Sequence, residues 1–198
     1  MHIDENLSWS VHINNMCTNL AQILAAFWRM HQYLDFKTKM LYYNSYILPK
    51  LMYCINVWGP NASTVLLNKL HIIQKRAVRI VFNTCRDAHT SSLFLNARIL
   101  NIHQLVLYNH AVLMFKVLNQ MSPSYLYVFE SVVEKGGREL RSATLNLLNV
   151  PHATHQHGFK AFRCSGARVW NSLPIYIREC TSINNFKKLC KDYIFSQM

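Results

Sequence analysis

Residues 10–34 read SVHINNMCTNLAQILAAFWRMHQYL, and this stretch decides the fold class. Ile13, Met16, Leu20, Leu24, Phe27, Met30 and Leu34 recur at steps of three and four. That spacing lays one apolar face along a helix, because side chains three and four positions apart share a face. Such a helix has to pack on something, and Ser10 is placed to cap it. Working outward, Asp35 can cap a second helix through FKTKMLYYNSYIL. Pro49 lacks a backbone donor and is expected to kink or break that helix before KLMYCINVW. Gly59, Pro60 and Asn61 stop the run. Ser63 can start a third helix, whose stripe Leu66, Leu70, Ile73, Ala77 and Val81 again has helical spacing. Three amphipathic helices joined by short turns make a compact bundle.

The second half is more mixed. After the polar connector NTCRDAHTSS, Asn101 can cap a helix through IHQLVLYNHAVLMFKVLNQM. Ser122 and Pro123 favour the start of a shorter helix ending near Glu134, and Gly136 and Gly137 end it. Over residues 138–165 the helical period disappears, and TLNLLNV and FKAFRCS look like short strands around the loop PHATHQHG. Pro174 and Ser182 then open two last helices, the second with Ile183, Phe186, Leu189 or Cys190, and Tyr193 on one face. The expected fold is therefore mainly α. A helical bundle occupies residues 1–88, and a mixed helical segment occupies 89–198, with one or two short strands in a β/loop region near 138–166.

Composition narrows the function. Across 198 residues, 51% hydrophobic content supplies a sizeable core, which excludes disorder as the main state. Lys and Arg number 21 against 9 Asp and Glu, a net charge of +12, although charged residues make up only 15% of the chain. Soluble domains carry roughly 25%. A sparse, one-signed charge favours a polyanion such as nucleic acid or an anionic membrane surface. The first ten residues contain two acids and no apolar run, so no cleavable signal peptide is expected. No stretch approaches the roughly 18 apolar residues of a spanning helix, since residues 20–28 are interrupted by Gln22 and bounded by Arg29. Six scattered cysteines without a CxxC pair read as free thiols in a reducing compartment, cytoplasm or nucleus.

Catalytic chemistry is hard to place. Two-metal catalysis needs carboxylates that converge within a few ångström. The nine acids here are dispersed, and only Asp4 and Glu5 are adjacent. There is no phosphate-binding GxxxxGK[ST] or GxGxxG loop, no GxSxG elbow and no HExxH helix. No catalytic residue is assigned. His152, His155 and His157 with Cys164 are zinc-type ligands, but their spacing matches no common zinc module and a solvated loop is the preferred reading. His12, His31, His71 and His110 are expected at helix boundaries or caps. Trp9, Trp28, Trp58 and Trp170 are able to stack on bases or sugars, but each lies beside an apolar helix or turn and core or interface is the preferred reading, with Trp58 and Trp170 expected in the core.

The basic residues carry the better signal. Lys69, Arg76 and Arg79 fall within about 80° of one another on the third helix, with Lys75 a little further round. One cationic edge results, either a grip for phosphates or a solvated helix face. Arg163, Arg168, Arg178, Lys187, Lys188 and Lys191 form a second basic cluster opposed by Glu179 and Asp192.

Four strings, in order, are IDENLSWSVHI, LYYNSYILPKLMYCINVWG, LHIIQKRAVRIV and GARVWNSLPIYIRECTSINNFKKLCKDYI. Together they resemble the region downstream of the palm in reverse transcriptases of non-LTR, LINE-type retrotransposons of the jockey-like kind. The resemblance covers nearly the whole chain, with the WNSLP turn and the following FKK helix its most specific part. It implies a thumb-like bundle over 1–88 and the C-terminal region beyond it. It also implies that the palm with its Mg2+-binding aspartates, the fingers and the endonuclease are missing, Met1 being an internal start in a truncated element. The cysteine–histidine knuckle of some relatives has no counterpart. A thumb holds the template-primer duplex against the palm, so the implied partners are RNA, DNA or their hybrid and the missing palm and fingers, with no cofactor and no membrane. Lys69, Lys75, Arg76 and Arg79 are the implied phosphate contacts, with Pro49, Tyr53 and Trp58 as scaffold. Arg168, Arg178, Lys187, Lys188 and Lys191 are implied contacts to RNA or target DNA. The competing readings are a helical protein–protein interaction module without a nucleic-acid role, and an open reading frame without function.

Overall fold

The computed structural model describes residues 1–131 and 147–197. It is mainly helical and divides into two compact units, Met1–Val106 and Leu107–Met198. The first unit extends past residue 88, and the division falls inside a helix.

In the first unit, α1 (Ser10–Met30) lies along α5 (Thr64–Phe82). The expected stripes face inward: Ile13, Met16, Leu20, Leu24 and Phe27 from α1, and Leu70, Ile73, Ala77 and Val81 from α5, are all buried. Each of these side chains larger than Ala77 contributes about 1.5–3 kcal/mol on leaving water. Met30 and Leu34 drop out of the α1 stripe because the helix ends at Met30 and a 3₁₀ turn, His31–Tyr33, follows. Ser10 is the first helical residue rather than the cap. The cap position is Trp9, in a left-handed conformation (φ 61°), and Ser8 instead donates to the Asp4 carboxylate.

Asp35 caps α2 (Phe36–Tyr42) as expected, its carboxylate accepting from the Thr38 N–H at 3.0 Å. Pro49 does not break the helical run that follows. A π-turn, Tyr43–Ile47, precedes α3 (Leu48–Met52), and Pro49 occupies the first turn of α3, where its missing N–H leaves no gap. The break comes later, at extended Tyr53 and left-handed Cys54, ahead of the single turn α4 (Ile55–Trp58). Gly59 ends that turn, and Ser63 caps α5 through the Leu66 N–H at 3.4 Å. Trp58, Tyr43 and Phe27 are among the largest fully buried side chains. Helix α6 (Ser91–Asn96) then buries Phe94. Asn101 opens α7 (Ile102–Leu118) with a reciprocal capping box, Gln104 N–H to Asn101 Oδ1 at 3.1 Å and Asn101 N–H to Gln104 Oε1 at 2.9 Å.

The second unit corrects several expectations. Ser122 and Pro123 start only a 3₁₀ turn, Ser124–Leu126, before extended chain. The string FKAFRCS is helical, not a strand. It falls across α8 (Gln156–Lys160) and α9 (Phe162–Ser172), whose buried face is Cys164, Gly166, Ala167 and Trp170. Part of TLNLLNV, like the Gly136–Gly137 stop, lies outside the described residues. Among the described residues, strand pairing is limited to an isolated bridge between Ser131 and Leu148. Asn171 of the WNSLP turn completes it, donating to the Leu148 carbonyl at 2.8 Å and accepting from its N–H at 2.9 Å. Helices α10 (Ile175–Arg178) and α11 (Ile183–Ser196) follow Pro174 and Ser182. Phe186, Cys190 and Ile194 face the core of this unit, and Phe115 and Trp170 stack on Phe186.

The tryptophan and histidine expectations resolve residue by residue. Trp58 and Trp170 are core. His12 is buried in the first turn of α1, at the expected boundary, whereas His110 is buried in a helix interior; their rings are edge-on to Trp58 and Phe162 respectively. All six cysteines are free thiols. Among the described residues, no helix is long and apolar enough to cross a membrane.

Candidate nucleic-acid interface

Helix α5 turns its cationic edge outward. Lys69 and Arg76 are exposed and Lys75 and Arg79 partly so, while Val65 and Ile72 lie exposed on the same arc. The four cations are not equivalent. Lys69 donates to Asn14 Oδ1 on α1 at 3.1 Å. Arg79 is committed to the chain: its Nε and Nη2 both donate to the Ala88 carbonyl, at 3.1 and 2.9 Å. No hydrogen bond or ion pair among the described residues holds Lys75 or Arg76, so both charges are available. His71 adds no cation here, since burial and then the charge of Lys75 push it down to about 4.

What surrounds this edge matters as much. Neither α1 nor α5 contains a carboxylate, and none occurs between Asp35 and Asp87. At the end of α5, Asn83 adopts a left-handed conformation (φ 52°) that turns the chain back, and Lys39 donates to its Oδ1 at 2.6 Å. With Arg79 gripping Ala88, this turn carries Arg86 back to α5. Arg76, Arg79 and Arg86 then rim a groove of about 510 Å³ between α1 and α5, floored by apolar side chains and walled by Trp28. Arg86 and Trp28 were not among the residues assigned from sequence. Arg86 lies in what reads as a polar connector, and the legible clue was an asparagine placed immediately after a strong helical stripe.

The second basic cluster lies wholly in the second unit. Lys187, Lys188 and Lys191 share one side of α11, with Lys188 exposed and Lys191 over the Phe195 ring at 5.8 Å. Arg168 lies over the Phe159 ring at 5.1 Å and donates to its carbonyl at 3.4 Å. Arg178 donates from Nε to the Leu173 carbonyl at 3.0 Å, bracing the turn after WNSLP, and burial draws its guanidinium down from the usual range. Arg163 pairs with Glu130 at 3.6 Å. Arg168 and Arg178 thus have structural work within their own helices and turns. Among the described residues, no group of three His, Cys, Asp or Glu side chains is placed to hold a metal ion.

No protein-family model, curated protein or solved structure matches the chain significantly.

Proposed function

We propose that this chain holds a template-primer duplex of RNA and DNA by its phosphates, without reading base sequence, as the thumb-like and C-terminal part of a LINE-type reverse transcriptase. Binding, rather than chemistry, is its contribution, and the palm and fingers of the parent polymerase are its natural neighbours. The observation that carries this reading is the α5 edge: Lys75 and Arg76 are unengaged, Lys69 stands beside them, and no carboxylate lies on either wall. A rigid helix displaying cations to solvent suits phosphates repeated along a duplex. The four strings that resemble the polymerase family supply the identity of the duplex. Lys187, Lys188 and Lys191 on α11 are a second grip.

The test is a mobility shift with an RNA–DNA hybrid at 50 and 200 mM salt. The three α5 cations by themselves are expected to weaken binding roughly 40-fold over that range, and the α11 grip adds to it. Undetectable binding at low salt contradicts the reading.

The exposed apolar residues Leu41, Tyr46, Val65 and Ile72 favour a second reading, a helical module that docks on another protein. Binding of that kind depends little on salt, which separates the two.

A further inference from the structure

The geometry points to a single-strand site in the groove between α1 and α5: an unpaired nucleobase stacks on Trp28 while its flanking phosphates meet Arg76 and Arg86. This extends the duplex-holding reading, on which it rests, by giving the same unit a place for an unpaired nucleotide. Three observations converge on it.

First, Trp28 is 58% exposed, whereas Trp9, Trp58 and Trp170 are 4%, 0% and 5% exposed. Its indole is nevertheless ordered: His31 stacks on it at 4.2 Å and 16°, and the His31 ring is pinned by Nδ1 to the Trp28 carbonyl at 2.5 Å. A pre-ordered aromatic left in water is a stacking platform, and every base has a face to offer it. Second, the groove of about 510 Å³ falls in the size range of small-ligand sites, and exposed Ala21 and Ala25, one turn apart on α1, leave room beside the indole. Third, every charged residue lining the groove is a cation. Arg79 is spent on the Ala88 carbonyl and fixes the loop, while Arg76 and Arg86 have no hydrogen bond or ion pair among the described residues. Unengaged guanidiniums flanking a flat aromatic wall match the cations and stacking of single-strand binders.

All four tryptophans emit, but Trp28 is the exposed one among them and so the one open to contact quenching by a bound base; quenching that Trp28→Phe abolishes is quenching of Trp28. The full chain is titrated at 50 mM salt with oligo-dT, with a blunt RNA–DNA hybrid, and with an acidic peptide carrying leucine and phenylalanine. Oligo-dT is expected to quench the emission. Mobility shifts with labelled oligo-dT, which need no indole, compare the variants: Trp28→Ala, at an exposed position and checked for helicity by circular dichroism, is expected to weaken oligo-dT binding roughly tenfold or more. Trp28→Phe restores most of it, and hybrid affinity stays within about twofold. Hybrid binding with no oligo-dT quenching, or Trp28→Ala binding oligo-dT like the parent, overturns the single-strand site and leaves duplex holding intact. Quenching by the peptide alone also overturns it and marks a protein-docking groove. No binding of either nucleic acid overturns both readings.

Discussion

The side-chain amide of Gln74 donates to the hydroxyl of Tyr43 at 2.9 Å, in the middle of an otherwise apolar core. The same nitrogen donates to the Leu100 carbonyl at 2.9 Å, so one polar side chain on α5 ties the π-turn to the segment before α7. A buried amide with defined partners fixes register where apolar contacts alone tolerate sliding.

Removing either partner has a calculable cost. Tyr43→Phe deletes one hydrogen bond and is expected to cost about 1 kcal/mol, whereas Gln74→Leu strands the Tyr43 hydroxyl and the Leu100 carbonyl and costs about 1–3 kcal/mol. Urea unfolding measures both. Burial pushes the Tyr43 phenol up to about 12, so its ordered, protonated form stabilises the fold fully below the unfolded value near 10. That contribution is lost as pH rises from about 10 to 12, and Tyr43→Phe removes this part of the alkaline transition.

Gly59 permits a close approach. A Cβ there would lie 2.5 Å from the Ile55 carbonyl oxygen and 2.8 Å from Val106 Cγ2 on α7. The first obstacle is backbone and cannot rotate away. Gly59→Ala is therefore expected to destabilise by about 1–3 kcal/mol despite its favourable helix propensity, and Val106→Ala in the same chain recovers only part of the loss in thermal melts.

Acid sensitivity has a named source. His110 is buried, shares a hydrogen bond with Ser165 Oγ at 3.1 Å, and is pushed down to about 4 by burial; His71 is pushed to about 4 as well. Unfolded histidine protonates near 6.5, so between about 6.5 and 4 the unfolded chain binds protons that the folded chain refuses. Stability is full above 6.5 and falls as pH drops toward 4. Melting temperatures measured at pH 7.5 and 4.5 show this loss, and His110→Leu is expected to reduce it.

Two arginines three positions apart have separable roles. Arg79→Lys replaces a fork by a single ammonium, weakens the grip on Ala88 and is expected to cost about 1 kcal/mol of stability. Arg76→Gln leaves the melting temperature unchanged and lowers affinity for the RNA–DNA hybrid several-fold. Paired melts and mobility shifts on the two variants check the division.

What the sequence disclosed follows from how local the cause is. The stripes of α1 and α5 and the caps Asp35, Ser63 and Asn101 depend on residues within four positions, so spacing revealed them. Helix α9 is hidden because FKAFRCS is a short, mixed run in which strand and helix spacing cannot be told apart. Its buried face, Cys164, Gly166, Ala167 and Trp170, emerges only across Gly166, where Met114 Sδ would lie 2.5 Å from an added Cβ. The π-turn before Pro49 was invisible for a similar reason: proline announces a missing donor, not where the chain accommodates it. At the interface, Lys69, Lys75, Arg76 and Arg79 were legible from helical angle alone. Their division into free and engaged cations was not, because the partners Asn14 and Ala88 come from elsewhere in the chain. Arg86 joins the groove only through the left-handed turn at Asn83.

The salt dependence of RNA–DNA hybrid binding bears most directly on the central claim. If α5 grips phosphates through Lys69, Lys75 and Arg76, log K falls with log salt at a slope of about −2.7 or steeper, α11 adding the excess, and the Lys75→Gln, Arg76→Gln double variant flattens it by about 2. A slope near zero, or a double variant with the parent's slope, contradicts the account.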